Sequence, residues 1–199
     1  MRIVVGLLLF LDHLGVESAD VMGISAGTGA AVQLALRHPS RVDHLIISSG
    51  NWPGSPTSEA PLGWAKMFYN DPAMWLLRAA AAPMMNGLMG VPEGFPEDAE
   101  QRDYVKEMLD SIFPLKPSSE GAIFDALSSN PEINDHTLEQ ITVPTLVLHS
   151  RDDPLASFDA AERAADRIPS ARLVALKSGG HLGLGQTQRV RQVVADFLA

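Results

Sequence analysis

A serine between two glycines, in Gly23-Ile24-Ser25-Ala26-Gly27, is the side chain of this sequence best placed to attack a carbonyl. A serine hydroxyl does so at neutral pH only when a base within hydrogen-bond reach takes its proton and a third group orients that base. The chain has six histidines. His13 and His38 fall on helices or at their ends, His44 and His149 in strands, and His136 in a loop, positions that suit structural roles. His181 differs. It follows Ser178-Gly179-Gly180 directly behind a β-rich run, and glycines there let a loop turn the ring inward. The orienting acid is expected from Ser150-Arg151-Asp152-Asp153-Pro154, directly behind another apolar run. Either aspartate can serve, and one can merely cap the turn. Serine, aspartate and histidine in that order, each behind its own strand, are much harder to obtain by chance than one pentapeptide.

The elements that must position these groups are legible as periodicities. The apolar run opening at Ala19-Asp20-Val21-Met22 reads as a buried strand, and 28–37 as a helix with Ala30, Ala31, Leu34 and Ala35 at helical spacing. Two glycines at such a junction permit a sharp turn that lifts the serine out of the sheet beside the helix N-terminus. Residues 42–49 form a second β-rich run, 145–149 a third and 171–176 a fourth. Ser157 is expected to cap a helix reaching Arg167. The helix over 187–198 carries Val190, Val193, Val194, Phe197 and Leu198 on one face, which buries it against the sheet. Strands alternating with helices on short connections imply an α/β class with a mainly parallel sheet.

Composition changes between 51 and 138. All three tryptophans and six of the eight methionines lie there, cut by prolines into short helical pieces, with Asp71-Pro72 as a helix start and helices over 97–113 and 118–127. The expected organisation is an α/β core of 1–50 and 139–199 interrupted by a helical cap of 51–138. Met and Trp offer a pliable apolar lining for a greasy substrate, or pack the cap itself.

The 199 residues suffice for one sizeable core, and 46% apolar with 20% charged residues is ordinary globular composition. Net charge is −9 without a basic cluster, which argues against nucleic acid or an anionic membrane as partner. With no cysteine there is neither disulfide nor thiolate site, and a cytoplasmic location is expected. Met1-Arg2 and the apolar run behind it resemble a signal peptide, but cleavage near Ala19 would cut the serine's strand. Residues 3–14 are therefore expected to form a core helix ended by Gly15.

The segments GISAGTGAAVQLALRHPSRV, VPTLVLHSRDDPL and SGGHLGLGQ together resemble the α/β-hydrolase fold superfamily of serine hydrolases. The resemblance implies Ser25 as nucleophile, His181 as base and Asp153, rather than Asp152, as acid. It implies the Ala26 backbone N–H as one oxyanion donor, and neither metal nor organic cofactor. Ser150 and Thr28 stand where the family usually has glycines. The family also has four strands before the nucleophile strand, with a second oxyanion donor among them. None of these is found in this sequence, so a partial fold is expected. The serine's strand would then be an open sheet edge, and pairing with a second copy in a homodimer is anticipated. The expected activity is hydrolysis of a small or medium apolar carboxylic ester through an acyl-enzyme. The alternatives are hydrolysis of a C–C bond, or a catalytically weak truncated fold serving as a binding or assembly module.

Overall fold

The computed structural model describes residues 2–53, 72, 75, 86–87, 89–112 and 135–199. The chain opens with α1 (Arg2–His13), β1 (Ala19–Ile24), α2 (Thr28–Arg37) and β2 (Val42–Ser48). Next comes α3 (Ala99–Ile112), followed by β3 (Thr145–Ser150), α4 (Phe158–Arg167), β4 (Ala171–Leu176) and α5 (Thr187–Leu198). Four strands form one parallel sheet in the order β1-β2-β3-β4.

Side chains alternate across the two inner strands, as the pleat requires. Leu45, Ile47 and Val147 face one layer, where Val32, Leu34, Ala35, Ala161 and Ala164 bring α2 and α4 onto the sheet. Ile46, Leu146 and Leu148 face the other, packed by the Val190, Val193, Val194, Phe197 and Leu198 stripe of α5. Every residue of β3 is buried. Each large aliphatic side chain so buried contributes about 1.5–3 kcal/mol, and this double coverage is why β2 and β3 read as nearly continuous apolar runs. The Ser157 hydroxyl accepts from the Ala160 N–H at 3.2 Å and starts α4 as expected. Among the described residues no helix is long and apolar enough to cross a membrane.

Two expectations on the N-terminal side need correction. Helix α1 exists, and it ends in a Schellman turn: Gly15 sits at φ +67°, with Val16 N–H bonded to Leu11 O and Gly15 N–H to Asp12 O. It is not a core helix, however. Val4 is buried, whereas Ile3, Val5, Leu7, Leu9, Phe10 and Leu14 are exposed, because only one face rests on α2. Nor is β1 a buried strand. It lies at the sheet edge, with Met22 44% and Ile24 57% exposed, in keeping with the open edge expected from the resemblance.

Between β2 and β3, α3 falls within the helix expected over 97–113. Asp98 and Gln101 cap it reciprocally, each side chain accepting the other residue's backbone N–H at 2.9 and 3.0 Å. Pro72 is helical, while Asp71 and the helix expected over 118–127 lie outside the described residues. The tryptophans do not share one role. Trp52 is fully buried in the main core, Trp75 is 67% exposed, and Trp64 lies outside the described residues.

Candidate active site

The register brings all the candidate groups to one edge of the sheet. Ile24 pairs with Ser48, Ser48 with Leu148, and Leu148 with Val174, so the segments that follow each strand leave at the same, carboxyl, end. Ser25 leaves β1 on a single 3-10 turn, Ser25–Gly27, that runs directly into α2. The strained residue of this elbow is the serine itself, at φ +50°. A left-handed conformation costs a residue with a side chain on the order of 1–3 kcal/mol. Surrounding contacts hold it there. The Thr28 hydroxyl donates to Ser25 O at 2.7 Å, so the threonine at this unusual position ties the turn together. The two glycines are not equivalent. A Cβ on Gly23 would lie 2.8 Å from Ala31 Cβ and 3.0 Å from both Gly27 O and Ile47 Cδ1. Only glycine lets α2 approach β1 so closely. Gly27, at φ −68° with open space around its Cα, is under no such demand.

The two adjacent aspartates face different partners. Asp152 accepts the Gly179 and Gly180 N–H groups at 3.1 and 3.0 Å, bracing the loop that carries His181. Asp153 faces the imidazole: His181 Nδ1 lies 2.9 Å from Oδ2 and 3.1 Å from Oδ1. On the other side of the ring, Nε2 lies 2.8 Å from Ser25 Oγ. Asp153 is acceptor-only when ionised, so Nδ1 donates to it and Nε2 is left to accept the serine proton. Asp153 Oδ1 also takes the Leu155 and Ala156 N–H groups at 2.9 and 3.0 Å. Burial alone would raise the Asp153 carboxyl. Hydrogen bonds from His149, His181 and the Ala156 N–H, with the attraction of His181, outweigh it and hold the group below the ordinary carboxylate range.

The His181 loop is fixed by contacts that reading the sequence missed. The Ser49 hydroxyl donates to His181 O at 2.7 Å, and His181 N–H donates to Gly90 O at 2.9 Å. Gly179 and Gly180 adopt φ of +121° and +60°, which supports the expectation that glycines let this loop turn inward. Ser49 and Gly90 lie far from His181 in sequence, and no local motif marks either. Ala26 is half-buried at the N-terminal turn beside Ser25, where the first N–H groups have no partner within the turn. Ser150, in the position usually held by glycine, is accommodated with its buried hydroxyl unpartnered.

The group opens into a cavity of about 610 Å³. Met22, Met89, Met108, Leu155 and Leu182 make its wall predominantly apolar, and two of these methionines, Met89 and Met108, come from the segment between β2 and β3. Tyr104 and Arg191 add polar groups. Among the described residues, no three His, Asp or Glu side chains gather in an arrangement that could hold a metal ion.

The sequence profile of the alpha/beta hydrolase fold matches residues 4–186. The chain belongs to that family. Among curated proteins it resembles 2-hydroxymuconate semialdehyde hydrolase of Pseudomonas putida, 28% identical over 193 residues that are 95% of this chain and 65% of the relative. It also resembles the 2-hydroxy-6-oxononadienedioate/2-hydroxy-6-oxononatrienedioate hydrolase of Cupriavidus pinatubonensis, 28% identical over 197 residues, 94% of this chain and 64% of that one. The chain thus spans just under two thirds of the length of these relatives. Of solved structures, the enol-lactonase from Burkholderia xenovorans shares the fold with a TM-score of 0.76 at 22% identity, covering 97% of this chain and 70% of that one. A hydrolase from Pseudomonas aeruginosa gives 0.73 at 25% identity, covering 98% and 70%.

Proposed function

We propose that this protein is a serine-dependent hydrolase that cleaves a C–C bond next to a carbonyl in an unsaturated oxo acid. The observation that carries the serine chemistry is the continuous line Ser25 Oγ, His181 Nε2, His181 Nδ1, Asp153 Oδ2, with links of 2.8 and 2.9 Å. In this reading His181 takes the Ser25 proton as Oγ adds to the carbonyl, and the Ala26 N–H stabilises the oxyanion. Asp153 holds the Nδ1–H tautomer and stabilises the imidazolium. Collapse of the tetrahedral adduct breaks the C–C bond and leaves an acyl group on Ser25. The departing carbanion takes the proton from His181. Such a leaving group is accessible only when it is delocalised as an enolate, so the substrate needs a second, conjugated carbonyl. Water activated by His181 then releases the acid.

The named relatives favour this reading over the apolar ester expected from the sequence, because both names describe cleavage of unsaturated, oxygenated carboxylic acids. The cavity agrees with it. Its walls are apolar, and Arg191 is the one Lys or Arg among the described lining residues, a counter-ion for a substrate carboxylate in a chain of net charge −9. The self-association anticipated above belongs to the same proposal. It is supported by the edge position of β1 and the exposed apolar side chains of β1 and α1. A strictly monomeric, stable sample in light scattering would remove it.

Two assays test the chemistry. Labelling by a fluorophosphonate is expected in the parent and absent in Ser25→Ala. Absence from both would move the protein to the binding-module reading. Turnover of a conjugated oxo-dienoic acid is expected to exceed that of p-nitrophenyl esters in kcat/KM. The reverse order would restore the esterase.

A further inference from the structure

His149 stands apart from the cavity, yet it touches the same carboxylate as His181. It is the second-last residue of β3 and is fully buried. Its Nε2 lies 3.0 Å from Ala156 O and 3.4 Å from Asp153 Oδ2. A carbonyl oxygen can only accept, so Nε2 carries the proton and shares it between the two oxygens. The other ring nitrogen, Nδ1, is buried with no hydrogen-bond partner, and the ring meets Phe158 edge-on at 6.2 Å. An unpaired polar atom in a core costs stability, and a leucine in this place would avoid it. A role for the Nε2–H accounts for its presence.

The geometry points to His149 as a positioning residue, which fixes the Asp153 carboxylate so that Oδ2 is presented to His181. The inference rests on the proposed role of Asp153 as orienting acid. The 153–156 turn is closed from both sides: Asp153 Oδ1 accepts the Ala156 N–H at 3.0 Å, while Ala156 O accepts from His149. His149 therefore clamps the turn and the carboxylate with one N–H. It also competes with His181 for the charge of Oδ2. The charged and titratable groups around it are Asp153 itself, His181 across that carboxylate, and Arg151, whose guanidinium lies 4.4 Å from the Phe158 ring centre.

Removing the donor has two separable consequences. The carboxylate loses one anchor, so fewer molecules hold His181 in the productive tautomer. The remaining negative charge on Oδ2 goes to His181 alone, which favours the imidazolium. In His149→Leu, the rate of fluorophosphonate labelling per folded site is expected to fall about tenfold, the size of one hydrogen bond to a charged group. The acid limb of its pH profile should move to higher pH. His149→Gln, which keeps an N–H near the position of Nε2, should recover most of the rate and the parent profile. A purely structural histidine would lower the melting temperature while leaving the per-site rate and the acid limb unmoved, and that result overturns the inference. If His149→Leu does not fold, His149→Phe, which keeps a ring against Phe158 without the donor, takes its place. Nitrogen-15 NMR of the parent supplies a check free of variants: an Nε2–H tautomer is expected, and an Nδ1–H tautomer refutes the arrangement. Lack of Ser25-dependent labelling in the parent would instead bring down the catalytic reading, and this inference with it.

Discussion

The two halves of the candidate site are built to different standards. The acid–base half hangs from β3 and β4 and is held many times over. Asp153 receives two backbone N–H groups and faces two histidines, Asp152 grips two N–H groups of the His181 loop, and Ser49 and Gly90 hold the His181 backbone. The nucleophile half hangs from an edge strand on which Met22 and Ile24 are exposed, next in the chain to a helix that leaves five large apolar side chains exposed. There a single strained residue, Ser25, depends on one hydroxyl brace and on the close seating of α2. The difference teaches that orienting an imidazole needs many independent anchors, whereas presenting a serine needs one tight turn on a rigid strand.

That contrast can be broken on either side. The largest effect is expected from Asp153→Asn, which keeps the shape but removes the charge and favours the wrong imidazole tautomer. Turnover should fall by about 10³–10⁴, measured as kcat under saturating substrate. The same variant tests a pH effect. The folded Asp153 titrates below its unfolded value, so its contribution to stability is present above about pH 4 and is lost as the pH falls further. Acid titration followed by circular dichroism should show a flatter profile for Asn over that range. A parallel profile would mean that Asp153 is not held as described.

On the nucleophile side, Gly23→Ala should lower stability by about 1–3 kcal/mol in urea unfolding, because its Cβ meets Ala31, Gly27 O and Ile47 at 2.8–3.0 Å. Gly27→Ala, placed in open space at a helical φ, should be neutral or slightly stabilising. Equal costs for the two would mean that the elbow depends on flexibility rather than on close packing. On turnover, a smaller effect than that of Asp153→Asn belongs to Asp152→Ala. With Ser49 and Gly90 still holding the His181 loop, a loss of about tenfold in kcat/KM is expected, with KM little changed. A loss as large as that of Asp153→Asn would show that the redundancy of this half is illusory.

Much of this molecule was legible before its fold was known. β4 and α5 fall at the residues that periodicity marks, because one-sided and two-sided burial impose distinct patterns on sequence. The turn at Ser25 and the loop at His181 were legible as well, since glycines punctuate the chain at both places. The choice between Asp152 and Asp153 was not legible from the residues alone and came only through family resemblance. Adjacent aspartates in a turn are chemically alike, and only the path of the loop sends one to backbone N–H groups and the other to the imidazole. His149 reads as a strand residue with a structural role because nothing local tells an apolar strand that a carboxylate lies beneath its end.

By itself, the sequence determined the order of elements, the parallel sheet, the strand-to-helix turn at Ser25 and the family. These depend on periodicity, glycine and chain order, which are local properties. Tertiary structure decided the exposure of α1 and β1, the separate duties of Gly23 and Gly27, the division of labour between Asp152 and Asp153, and the shared hold of His149 and His181 on one carboxylate. Each of these is a relation between segments distant in the chain or between neighbours that differ only in direction, and burial and direction exist only once the sheet has brought those segments together.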